Sequence, residues 1–303
     1  MKLQISPIFK GSYKFLFANV LAIIGIVWLP YAVAILVSGL AVAGAVPPQW
    51  WQGDFSQITQ ITKDAALPMI AKFIGLSVVV MFVWIVTSSM VTVAIQRRAL
   101  GLSQGAVFAY FSFGAPVWRL IGAYLLLFLF MIGISIGVTL ACGLAIAGAS
   151  VVLPKDMATL IGVVLGITGW CGFFYVIFRW SFFIAPVVVA EGRIGLGRAW
   201  QLGRGNFWRI FAILLIVSLP ISVAGGILSQ VFLPMLGGMG DFSHMPEHPT
   251  DAEVWAAMHQ LLTAVLPALG ISALIQTIAL SGVTNGAQAL AYRQLTDAQP
   301  QIN

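Results

Sequence analysis

Residues Val176–Val217 read VIFRWSFFIAPVVVAEGRIGLGRAWQLGRGNFWRIFAILLIV. An apolar run closes on Glu191, a short linker carries Arg193, Arg198, Arg204 and Arg209, and a second apolar run follows at once. This is the pattern of two membrane helices joined by a basic connector. Positive charge is retained on the cytoplasmic side of a bilayer, so the stretch predicts both a membrane location and an orientation.

The whole chain agrees with this reading. Of 303 residues, 60% are hydrophobic and only 8% charged, with a net charge of +6 and a mean hydropathy of +1.00. A soluble domain carries roughly a quarter charged residues. There is too little polar surface here to cover a water-soluble globule. The basic residues sit at the ends of apolar runs and form no long tract, which argues against nucleic acid as a partner. Cys142 and Cys171 both lie in apolar runs and read as packing residues. The first apolar run is too long for a secretory leader and reads as a first membrane helix.

Six apolar runs, about 15–43, 69–95, 120–148, 158–189, 210–236 and 260–291, exceed the roughly 20 helical residues that cross a hydrocarbon core. They are continuous, not alternating, which favours helices over a barrel. Pro30, Pro186, Pro220 and Pro267 lie inside runs and should bend them. Twelve basic residues fall on one side: Lys2, Lys10, Lys14, Arg97, Arg98, Arg119, Arg179, Arg193, Arg198, Arg204, Arg209 and Arg293. Three fall on the other, Lys63, Lys72 and Lys155, together with seven of the nine acids. Six crossings with both tails cytoplasmic follow from this asymmetry. The chain is therefore expected to be one polytopic membrane domain, 1–303.

A weak repeat divides the spans into three hairpins. Lys10-Gly11-Ser12-Tyr13-Lys14, Phe113 to Arg119, and Arg204-Gly205-Asn206-Phe207-Trp208-Arg209 each combine glycine, aromatic and basic residues ahead of a long apolar run. Connectors 99–117 and 193–207 are expected to form short amphipathic helices at the cytoplasmic surface, where aromatic rings prefer the headgroup level and arginines meet anionic lipid.

Chemistry-bearing residues are few. None of the six runs has Asp or Glu in its middle, which weakens ion-coupled transport and aspartyl protease readings. Arg179, among Phe178, Trp180, Phe182 and Phe183, reads either as a headgroup contact inside the bundle or as a cation stacked on aromatics and reaching for the interface. Glu191, the lone acid of the cytoplasmic connectors, reads first as an ion-pair partner of Arg193 and Arg198. Arg179, Glu191, Arg193, Arg198, Arg204, Trp208 and Arg209 form the candidate lipid or partner contact. Gln276, Asn285 and Gln288 recur along the last run and form a candidate polar path. Thr87, Ser88 and Ser89 cluster in the second run. His244, His248 and His259 stand in the outer loop 237–259 among acids, but Pro246 and Pro249 disfavour a helix that would align them, and no metal, cofactor or catalytic residue is expected.

The segments Pro186-Val187-Val188-Val189-Ala190-Glu191-Gly192, Ala199-Trp200-Gln201-Leu202 and Gly205-Asn206-Phe207-Trp208-Arg209 resemble the hallmark of a broad bacterial membrane family. It is the family related to the membrane domain of glycerophosphodiester phosphodiesterases, which has many stand-alone members. The resemblance implies an integral membrane module without an activity of its own. In fused members the hydrolytic chemistry belongs to a separate soluble domain that this chain lacks. The leading expectation is a non-catalytic scaffold or lipid-associated accessory module that contacts anionic lipid or a membrane protein partner. The alternative is a channel or lipid/small-molecule transporter with a path lined by the last helix.

Overall fold

A computed structural model describes residues 2–46, 63–105, 108–235 and 251–297. Every regular element among them is an α-helix. Six are long: α1 (Ile5–Ala45), α2 (Lys63–Ala99), α3 (Ala115–Val152), α4 (Lys155–Glu191), α6 (Phe207–Met235) and α7 (Asp251–Thr296). One, α5 (Leu196–Leu202), is short and sits in the connector between α4 and α6.

Among the described residues, five helices are long and apolar enough to cross a membrane: Ile5–Ala45, Leu67–Ala99, Ala115–Val152, Asp156–Glu191 and Phe207–Leu228. The anticipated sixth span, 260–291, lies within α7, where the side chains of 251–269 are outside the described residues. The outer loop 237–259 lies mostly outside them too. Most helices overrun the apolar runs, at either end. α1 starts at Ile5, so Lys10–Lys14 is its first turns and not a separate lead-in. At 41 residues it is about 60 Å long, twice a hydrocarbon core. Pro30 and Pro186 are accommodated inside α1 and α4.

The sequential pairs α1 and α2, α3 and α4, and α6 and α7 all pack together. α7 also lies against α1, α2 and α4, so it is the hub of the bundle, while α3 touches chiefly α4 and α2. One surface helix was anticipated in each basic connector. The later one is α5. The earlier one is not helical in its described part: after Ala99 the chain turns and runs irregularly to Gly114. Gly101 and Gly105 take φ of 75° and 110°, conformations that break a helix. Arg98 then donates to the Gly105 carbonyl at 2.7 Å, and the Trp28 indole donates to the Phe108 carbonyl at 2.7 Å. These bonds hold the loop open in place of helical ones.

Burial is strongly one-ended. The core joins Leu16 and Ile23 of α1, Met90 and Ile95 of α2, Leu120 of α3, Phe182 to Val188 of α4, Ile210 and Ile213 of α6, and Val283 and Ala287 of α7. All lie toward the arginine-bearing ends of their helices. Over the most apolar windows of α2, α3 and α4 only 6%, 6% and 0% of residues are buried. Leu125, Phe128, Leu140 and Leu144 of α3 face outward, an apolar surface suited to lipid and not to water. Cys142 is half-buried and Cys171 exposed, so only the first has the packing role anticipated.

This distribution predicts an asymmetric response to truncation. Phe183→Ala, at a fully buried site (0% exposed), should cost about 3–5 kcal/mol. Phe128→Ala, 59% exposed on α3, should leave thermal stability in detergent nearly unchanged. Melting both variants by intrinsic fluorescence or size exclusion checks the contrast.

Candidate functional site

Arg179 is 6% exposed, one turn above Tyr175 on α4 and aimed at α5. Its Nε and Nη2 donate to the Trp200 carbonyl at 3.3 and 3.1 Å, and Nη1 donates to the Tyr175 hydroxyl at 3.0 Å. The guanidinium carbon lies 3.5 Å from the centre of the Trp200 ring. A buried cation without a carboxylate beside it needs such partners, and the π face supplies about 2 kcal/mol or more when desolvated. Of the two readings of Arg179, the stacked one describes its contacts, but the closest ring is Trp200 of the connector, with Tyr175 of α4 at 5.8 Å, and not the flanking Phe178, Trp180, Phe182 or Phe183. The approach is close at Gly203, where a Cβ would stand 2.6 Å from Arg179 Cγ and 2.8 Å from its carbonyl oxygen. The oxygen is backbone and has little freedom to move, so only glycine fits there.

Trp180, the next residue, donates from its indole to the Leu196 carbonyl at 3.0 Å. Its ring meets Trp200 at 4.8 Å and Phe130 of α3 at 4.7 Å. Adjacent side chains of α4 thus hold the two ends of α5, and Trp180 also ties them to α3.

Glu191 closes α4. One carboxylate oxygen accepts from Arg193 Nη2 at 2.8 Å, the other from Arg198 Nε at 3.3 Å. Tyr292 of α7 donates to the same second oxygen at 3.2 Å. The pair with Arg193, 68% exposed, is solvent-screened and adds little, whereas Arg198 (27%) and Glu191 (19%) are better shielded. Tyr292, just beyond the apolar run, has its phenol pushed up to about 12, first by burial and then by the Glu191 carboxylate. It therefore stays a neutral donor throughout the physiological range. The connector is fastened to both α4 and α7.

A second fastening lies at the start of α6. The buried Asn206 accepts the Leu3 N–H through Oδ1 at 3.0 Å, and Arg209 Nη1 donates to the Leu3 carbonyl at 3.0 Å. Sequence reading placed Asn206 in a motif but gave it no role. Its signal was a short amide beside a helix start, where such residues commonly bond backbone. Arg204 and Trp208 are exposed, Trp208 at 76%.

The candidate polar path separates into two places. Gln96 of α2, which sequence reading passed over because it borders Arg97 and Arg98, is fully buried. Its Nε2 donates to Asn285 Oδ1 at 3.2 Å and to Gln288 Oε1 at 2.8 Å. Gln276 instead lies against Gly225 of α6. Nine helical residues rotate a side chain by about 180°, so Gln276 and Asn285 occupy opposite faces of α7. Gln96 Oε1 and Ser89 Oγ are buried without a partner among the described residues. Seven residues apart, they share one face of α2.

No group of three His, Cys, Asp or Glu side chains that could hold a metal occurs among the described residues. No family model matches the chain, and neither does any curated protein or solved structure.

The connector clamp is testable. Arg179→Lys keeps the charge but loses the planar stack and the forked donation to Trp200. It should lower stability by about 1–2 kcal/mol. Gly203→Ala should do the same by lifting α5 off α4. A detergent melt gives the magnitude, and increased proteolysis within 193–207 reports the detachment.

Proposed function

We propose that this chain is a six-span bacterial inner-membrane protein, built as three helical hairpins with both tails cytoplasmic. It acts as a non-catalytic scaffold or lipid-associated accessory module. The supporting observation is that the packed end of the bundle coincides with the end that carries twelve of the fifteen basic residues. Arg179, Arg193 and Arg198 have internal partners there and fasten the connector. Arg97, Arg119 and Arg204 are exposed around the same end. A rigid base ringed by outward cations suits an anionic leaflet, where each basic side chain contributes about 1 kcal/mol. The likeness of 186–192, 199–202 and 205–209 to the phosphodiesterase-related membrane module supports the same reading, and brings no hydrolytic residues with it.

The second reading is a channel or transporter. It is favoured by the orphaned Gln96 oxygen beside Asn285 and Gln288, and by the orphaned Ser89 hydroxyl on the same face of α2, since buried polar atoms in a membrane bundle often border a hydrated route.

Two measurements separate the readings. Arg97→Gln, Arg119→Gln and Arg204→Gln together should reduce the anionic share of co-purified lipid without altering the melt, and an unchanged lipid profile would remove the support for a lipid-binding ring of surface cations. Gln96→Leu should leave ion and solute leak from proteoliposomes at the wild-type level if the chain is a scaffold. Altered leak would move the assignment to the channel.

A further inference from the structure

An open groove of about 460 Å³ lies where the segment before α1 meets the start of α6, lined by Lys2, Tyr175, Gly205, Phe207, Trp208 and Arg209. Its chemistry is one-sided. Lys2 and Arg209 bring two cations, and no acid lines it. Glu191, the acid of the neighbouring connector, is engaged by Arg193, Arg198 and Tyr292. Arg209 uses one amino group on the Leu3 carbonyl, which fixes its position while most of its five donors remain uncommitted among the described residues. Tyr175 accepts from Arg179, so its own phenolic proton has no acceptor among the described residues. The lysine, the guanidinium and the phenol therefore all present donors to one space.

The walls are aromatic. Tyr175 and Phe207 meet at 4.7 Å, Phe207 and Trp208 at 5.1 Å, and Trp208 is 76% exposed. Tyr175 lies about three turns of α4 further from the connector than Pro186 does, on the way to the unpacked apolar half of the helix. The groove thus has a cationic mouth and an aromatic side that leads toward hydrocarbon. A tryptophan exposed in this position suits the headgroup level of a bilayer.

We infer that this groove holds the phosphate of one anionic phospholipid, with Lys2, Arg209 and the Tyr175 hydroxyl as donors and the aromatic wall against the glycerol and upper acyl chain. Two cations without a carboxylate favour a headgroup that lacks its own ammonium. Charge-assisted bonds from guanidinium and ammonium to phosphate are about twice as strong as neutral ones. This inference rests on the lipid-associated reading but concerns a single bound molecule and not the surface ring.

The test uses full-length protein in nanodiscs of phosphatidylglycerol and phosphatidylcholine, followed by native mass spectrometry during delipidation. Wild type should retain one phosphatidylglycerol after bulk lipid is stripped. Lys2→Gln with Arg209→Gln should weaken that retention roughly tenfold or more. Arg209→Lys, which keeps the charge, should hold the lipid, and its loss there would reduce Arg209 to a tether and overturn the assignment. Lys2→Gln alone touches no tether, so it should show a partial loss even if the double variant folds poorly. Equal retention by wild type and Lys2→Gln overturns the inference. Displacement by soluble glycerol phosphate at low millimolar concentration would also overturn it, in favour of a soluble anion. The Arg97, Arg119 and Arg204 triple variant should keep the tight lipid while losing bulk anionic lipid. If it loses neither, the surface reading fails while the groove stands.

Discussion

A guanidinium inside a membrane helix must find partners, and Arg179 finds them all in two places. With no carboxylate at hand, it takes the carbonyl and the ring of Trp200 and the hydroxyl of Tyr175. That demand draws α5 down onto α4. Once α5 is seated, Arg198 comes within reach of Glu191, and Glu191 in turn meets Tyr292 of the hub helix α7. Gly203 then delivers the chain to Asn206 and the start of α6. One desolvated charge thus organises the connector that links two helices with the hub. Its cost in the bilayer is offset by contacts that a lysine could not make, because an ammonium has no planar fork and no extended face to stack.

The concentration of the core at one end has a physical basis. Water drives side chains together at the arginine-bearing base, where connectors and helix ends compete for polar atoms. In the hydrocarbon there is no such drive between apolar helices, since lipid solvates leucine as well as leucine does. The apolar windows of α3 and α4 accordingly remain open, with phenylalanine and leucine turned outward. Packing near the arginine-bearing ends depends on interlocked buried side chains such as Phe182, Phe183 and Ile184.

Hydropathy and charge made the helices legible, because span length and arginine asymmetry are one-dimensional signals. The five apolar helices fall on the first five anticipated runs, and α5 falls in the connector where an amphipathic turn was read. The helices' extra turns beyond the apolar runs were not legible, since Lys10 or Arg97 ends a hydropathy window without ending a helix. The earlier connector misled for a related reason. Its phenylalanines looked amphipathic, but two glycines and the Arg98 bond to Gly105 decided the backbone. Within the candidate site, the Glu191 partners Arg193 and Arg198 followed from proximity in sequence, whereas Tyr292, 101 positions away, did not. The contacts of Trp200 with Arg179, of Gln96 with Asn285 and of Leu3 with Asn206 did not, because they join residues 21, 189 and 203 positions apart.

The contact between Leu3 and Asn206 also sets an order of events during synthesis. Its two halves are separated by 203 positions, so it closes only after most of the polypeptide has left the ribosome. α1 leans mainly on α7 and α2, and α7 follows the other described helices in the chain. Until α7 has been made, α1 therefore lacks its principal companion. A chain arrested between α4 and α6 would leave that first segment in the lipid phase with its latch still open.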